Sequence, residues 1–209
     1  MNLPPVTIAL LIAVSAGYML QMFIGGPMVA WFALWPLDAS AAGLGVSFAP
    51  WQLLSYGLLH GGLMHLALNG FAIFMFGPPI ERLLGARPFA LYFALCVIGA
   101  AVAQLVVQGL GPEGPPIPTV GASGGVFGLL LAFGMFYPKQ RIMLIIPPIP
   151  MPAWLFVTLY AAVELYFGVT GTRTGIAHFA HLGGLVTGLL LILYWRGNLP
   201  IKPKRRLTR

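Results

Sequence analysis

The stretch Gly121-Ala122-Ser123-Gly124-Gly125 sets one hydroxyl among small residues. It lies between a Pro/Gly-rich segment (Gly111 to Pro118) and an apolar run (Val126 to Phe136). A serine hydroxyl becomes a nucleophile when a base lies within hydrogen-bond reach. Few ionisable side chains fall inside apolar stretches: His60, His65, Glu164, His178 and His181. Such groups are costly in hydrocarbon and mark functional sites. As a helix, Ser123 to Tyr137 reaches about 22 Å, against about 30 Å for a bilayer core. With Lys139 and Arg141 at one surface, Ser123 sits roughly 8 Å below the other. Counted from Gly175, His181 lies about 9 Å into its own segment from that second side. The two depths are reached from opposite surfaces and agree within about one helical turn. They make Ser123 and His181 a candidate nucleophile and base. The plain alternative is that Ser123 is a helix N-cap.

The elements that carry this pair must come close together. Gly184 and Gly188 form a small-xxx-small pair within about 60° of His181 around a helix, and Gly124 and Gly128 form a similar pair after Ser123. His65 and Asn69 stand at i and i+4 and so share a helix face. Both can donate hydrogen bonds, and with the Ser123 backbone N–H they could hold an oxyanion. Equally, they could be a polar pair that ties helices together. On the same helix His60 falls about 180° from Asn69, away from such a site. His178 is the weaker candidate base and a candidate lining of a water cavity, and Glu164 has no evident partner. The histidine spacings are scattered, with no Cys or Asp to complete a usual ligand set, so no metal or cofactor is expected.

Composition sets the surroundings. The 209 residues are 59% hydrophobic and 7% charged, with mean hydropathy +0.91, the profile of a multi-span helical membrane protein. Six spans are expected, at about Val6–Ile24, Trp51–Phe76, Phe89–Leu110, Ser123–Tyr137, Ala153–Val169 and Gly175–Trp195. The segment at about 25–50 is too broken by Gly and Pro to cross, and its Trp31 and Trp35 suit an interfacial loop. Pro78, Pro79, Glu81, Arg82 and Arg87 read as a polar turn. Of the 11 Lys and Arg residues, all but Arg173 fall on the side of the two termini. That side is therefore cytoplasmic, and Ser123 opens to the outer half of the membrane. The net charge of +7 comes largely from the tail at about 197–209, a topology and lipid-headgroup signal, so no nucleic-acid partner is expected. The lone Cys96 excludes an internal disulfide. No cleavable signal is evident, and no internal repeat supports a transporter.

Three fragments together resemble the rhomboid family of intramembrane serine proteases: His60-Gly-Gly-Leu-Met-His65-Leu-Ala-Leu-Asn69, Gly121-Ala-Ser123-Gly, and Ala180-His181-Leu-Gly-Gly184-Leu-Val-Thr-Gly188. The resemblance covers nearly the whole chain. It implies an all-α, six-transmembrane-helix bundle forming a single domain over 1–209, with a lateral loop at about 25–50. It implies a Ser123–His181 dyad, with His65, Asn69, the Ser123 backbone and nearby Gly121 holding the oxyanion. Phe127 falls where an aromatic often stacks on the catalytic imidazole. The implied partners are single-span membrane-protein substrates and the lipid bilayer, with the bacterial inner membrane as the expected location. Family members often carry Trp-Arg in the first loop, where this chain has Trp51-Gln52, which bears on loop anchoring rather than chemistry. The G-x-S-x-G pattern here is not a nucleophile elbow, since that turn needs a preceding strand in an α/β sheet. A catalytically inactive relative that binds membrane clients is the principal alternative.

Overall fold

The computed structural model describes residues 2–42, 45–110, 116–143, 148–170, 176–201 and 203. Its elements are α1 (Pro5–Ile24), α2 (Gly26–Phe32), α3 (Gln52–Ser55), α4 (Leu63–Leu84), α5 (Ala86–Leu110), α6 (Ser123–Phe136), β1 (Arg141–Met143), β2 (Pro150–Pro152), α7 (Ala153–Thr170) and α8 (His178–Arg196). The two short strands form an antiparallel hairpin. Five helices (α1, α4, α5, α7 and α8) are long and apolar enough to cross a membrane. The sixth, α6, is apolar but shorter. Together they form an all-α membrane bundle.

The bundle is organised around α6. A helix that is apolar on every side belongs in an interior, and Gly124 to Leu130 are all buried. α6 packs against α4, α5, α7 and α8. The closest approach is to α8, where backbone meets backbone. A Cβ on Gly184 would collide with the Gly124 carbonyl, and one on Gly188 would lie 3.3 Å from Gly128 Cα. The paired glycines let the two helices run side by side in parallel register. Large apolar side chains cover the outside, among them Phe23, Met64, Leu110 and Val169, as expected where the surrounding medium is lipid.

Two boundaries differ from the sequence expectation. The second span does not begin at Trp51. Residues 52–58 form a short helix and a 3-10 turn, the chain runs non-helically through His60, and α4 starts only at Leu63. Nor do Pro78 and Pro79 end the span, because α4 continues through them to Leu84. The cause is Glu81, which is buried. Its carboxylate accepts hydrogen bonds from Val6 N (2.9 Å), Thr7 N (2.7 Å) and Thr7 Oγ1 (2.7 Å). The first N–H groups of a helix have no partner within it, and a negative charge there is favourable. Glu81 thus caps α1 from another helix, and α4 must stay helical past the prolines to present it.

The lateral segment is tied down by Gln52. Its side-chain oxygen accepts from Trp35 N (3.2 Å), while its amide nitrogen donates to Trp31 O (3.3 Å) and Ser47 O (3.1 Å). A neutral amide therefore does the anchoring at the position where the resemblance led us to expect Arg. Leu34 and Thr119 exchange backbone hydrogen bonds of 3.0 and 2.9 Å, which links this segment to the strand of chain leading into α6.

Glu81→Ala is expected to lower unfolding stability in detergent by about 2 kcal/mol or more, because it strands buried donors. Glu81→Gln, which keeps an acceptor, should lose less. Equal stability of wild type and Glu81→Ala in chemical denaturation would contradict this account.

Candidate active site

The chain enters α6 through a turn that only glycine fits well. Gly121 has φ +124°, a region that L side chains rarely adopt. A Cβ there would also lie 2.6 Å from His65 Cε1 and 2.8 Å from His65 Nε2. The Gly121 N–H donates to Tyr56 O at 2.9 Å, so it is not available to an oxyanion. What Gly121 supplies is space, which lets the His65 ring lie against the turn that carries Ser123.

Ser123 is the first residue of α6, and Ala122 occupies the cap position with no side-chain cap bond. The capping alternative for Ser123 therefore fails. Its Oγ instead meets His181 Nε2, from the first turn of α8, at 2.9 Å. The His181 ring stacks on Phe127, with centroids 4.2 Å apart and planes 13° apart. Phe127 in turn packs on Tyr160 of α7 at 4.9 Å. The imidazole is thus held on one face by α6, while its edge points at the hydroxyl. As a nitrogen at the first helical position, Ser123 N has no acceptor within α6, and it sits at the positive end of the helix dipole.

His65 and Asn69 lie on α4 beside this turn. His65 Nδ1 accepts from Gly61 N at 3.2 Å, which places the ring proton on Nε2, the nitrogen next to Gly121. Asn69 is buried, and its amide nitrogen donates to His65 O at 3.0 Å. That bond uses one of two amide hydrogens. His60 is not on the far side of the helix from Asn69 as the helical count had it. It sits in the non-helical chain before α4, with its ring centroid 5.1 Å from that of His65. Gln21 holds its backbone through two 2.9 Å hydrogen bonds. Burial first, and the neighbouring His65 second, lower the His60 imidazole to about 4, so it is neutral near pH 7.

The sequence left Glu164 without a partner, and the structure supplies two. Its Oε2 lies 2.6 Å from His178 Nδ1 and 3.0 Å from His181 Nδ1. The first contact is a hydrogen bond. The second is close enough for strong charge interaction but lies outside hydrogen-bond alignment, since His181 Nδ1 has no aligned partner. His178, expected near a water cavity, is stacked on Phe167 with centroids 5.5 Å apart. The ligand atoms of Glu164, His178 and His181 lie within 4.8 Å of one another, a donor set suited to zinc by type. Here the carboxylate is already engaged by both imidazoles. No local spacing could have shown this cluster, because it joins two helices. The only signal was a carboxylate inside a span.

Residues 47–198 match the Rhomboid domain family. This chain belongs to the rhomboid family. It is 31% identical over 157 residues to rhomboid protein 1 of the Saccharomyces cerevisiae mitochondrion, covering 71% of this chain and 42% of the yeast protein. It is 33% identical to YdcA of Bacillus subtilis, covering 76% of this chain and 74% of that protein. Against the rhomboid protease GlpG of Serratia proteamaculans it is 27% identical, covering 91% of this chain and 62% of that protein. The rhomboid chain described here thus spans less than half of the yeast relative and most of YdcA.

Replacing Gly121 by Ala in this rhomboid forces the turn away from φ +124° or pushes His65 aside. Reaction of Ser123 with a serine-directed fluorophosphonate is expected to slow about a hundredfold or more, the scale of one lost oxyanion donor. An unchanged labelling rate in gel fluorescence would contradict the steric role of Gly121.

Proposed function

We propose that this rhomboid is an intramembrane serine endopeptidase that cleaves single-span membrane proteins within or beside their spans. Membership of a family with named proteases supports peptide-bond hydrolysis within the membrane. The observation that carries the finer reading is the 2.9 Å contact between Ser123 Oγ and His181 Nε2.

Ser123 Oγ attacks the scissile carbonyl carbon while its proton passes to His181 Nε2. The carbonyl electron pair moves onto oxygen, where the Ser123 N–H, His65 Nε2–H and Asn69 amide are the donors in reach of a developing charge. Collapse of this intermediate breaks the C–N bond, and His181 returns the proton to the leaving amine. Water then hydrolyses the Ser123 ester by the same route in reverse roles. Phe127 keeps the imidazole in register through both halves.

The substrate arrives sideways, near α4 and α7. Only 17% of the α7 span is buried, against 39% for α8, so α7 is the more loosely held wall. The substrate must unwind there, because a hydrogen-bonded helix hides its carbonyls. Water is to reach Ser123 from the outer side; the cap expected at 169–176 falls largely on residues 171–175, which lie outside the described residues. In this reading the chain is a multi-pass protein of the bacterial inner membrane, with both termini cytoplasmic.

Purified protein in detergent is expected to cut a model single-span substrate. Ser123→Ala and His181→Ala should each lose activity by about three orders of magnitude or more. Cleavage that survives both substitutions would reject the dyad. Absence of cleavage in wild type, with no fluorophosphonate adduct on Ser123, would favour a client-binding relative without protease activity.

A further inference from the structure

We infer that Glu164 is a positioning residue for His181, making the catalytic pair a Glu–His–Ser relay. The inference rests on the protease reading of Ser123 and His181, and its test separates the two. The geometry forms a line. Glu164 Oε2 lies 3.0 Å from His181 Nδ1, and His181 Nε2 lies 2.9 Å from Ser123 Oγ. Glu164 is 3% exposed, and among the described residues its ion-pair partners are His178 and His181 alone.

A carboxylate inside a span is expensive unless something compensates it. His178 provides one compensation, since its 2.6 Å bond to Oε2 fixes that oxygen in place and ties α7 to α8. His181 provides the other, and the benefit is mutual. A negative oxygen beside Nδ1 favours the tautomer with the proton on Nδ1, which leaves the Nε2 lone pair facing the serine hydroxyl. As the Ser123 Oγ–C bond forms, the serine proton moves to Nε2 and His181 becomes cationic. Glu164 takes no proton and keeps its charge, and that charge stabilises the transient imidazolium. The 3.0 Å approach is not aligned as a hydrogen bond in the free protein. Catalytic hydrogen bonds commonly tighten only when substrate is bound.

A purely structural role, a tie between α7 and α8, makes different predictions. Glu164→Gln keeps the size and an acceptor for His178 but removes the charge. In detergent, with a single-span substrate and the full chain, the relay predicts that Glu164→Gln lowers kcat about tenfold or more. KM and the unfolding temperature should stay near wild type. His178→Gln should lose less. Glu164→Asp retains the charge and should keep a higher kcat than Glu164→Gln at matched folded fraction. A wild-type kcat in Glu164→Gln, or losses in Gln and Asp variants that only track the folded fraction, would overturn the relay. In either case Ser123→Ala must be inactive. Cleavage that persists in Ser123→Ala would instead reject the underlying protease assignment.

Discussion

The site exists because two helix backbones touch. Ser123 and His181 both lie in first turns, one on α6 and one on α8, and neither side chain is long. They meet at 2.9 Å only because Gly184 rests on the Gly124 carbonyl and Gly188 lies beside Gly128. Ordinary helix pairs stand 8–10 Å apart, and side chains larger than hydrogen at these positions would wedge the pair open. The remaining architecture serves that crossing. α5 backs it through Ala100 and Cys96, which lie against Gly124 and Gly128, and α4 brings His65 to the Gly121 turn. α7 contributes Tyr160 behind Phe127 and Glu164 behind His181.

The short length of α6 is the second constraint. A full span would place Ser123 at a surface, where bulk water would compete for every hydrogen bond of the site. A shorter helix fits the expectation that the serine lies below the surface, where backbone must be buried in protein or line water. In the proposed reaction the positive end of this buried helix lies where negative charge develops. Glu164, buried beside the site, has two imidazoles against one oxygen at 2.6 and 3.0 Å, the compensation that an interior carboxylate requires.

Much of this could be read in the sequence, because it depends on local quantities. Hydropathy located the spans, length marked α6 as too short to cross, and the glycine spacing marked the faces that meet. The pairing of Ser123 with His181 followed from matched depth. In the structure the two residues meet because both lie in the first turns of parallel helices at the same end of the bundle. What the sequence hid depends on contacts between distant segments. Pro78 and Pro79 read as a turn because the compensation comes from Val6 and Thr7, more than 70 positions away. His60 read as helical because nothing local shows that α4 starts at Leu63. Glu164 read as isolated because its partners sit on the next helix, and Gly121 read as an oxyanion neighbour when its N–H is held by Tyr56. Phe127 was placed by family resemblance rather than by spacing, and its 4.2 Å stack on His181 gives that placement a physical reason.

In the proposed mechanism Ser123 Oγ becomes covalently bonded to the substrate carbonyl with His181 as its base. The most direct measurement is acid quenching during turnover, followed by peptide mapping of the enzyme by mass spectrometry. The account predicts an ester between Ser123 and the amino-terminal product fragment, present in wild type and absent from His181→Ala. A turnover-competent enzyme with no such ester, or with the fragment attached at another residue, would contradict it.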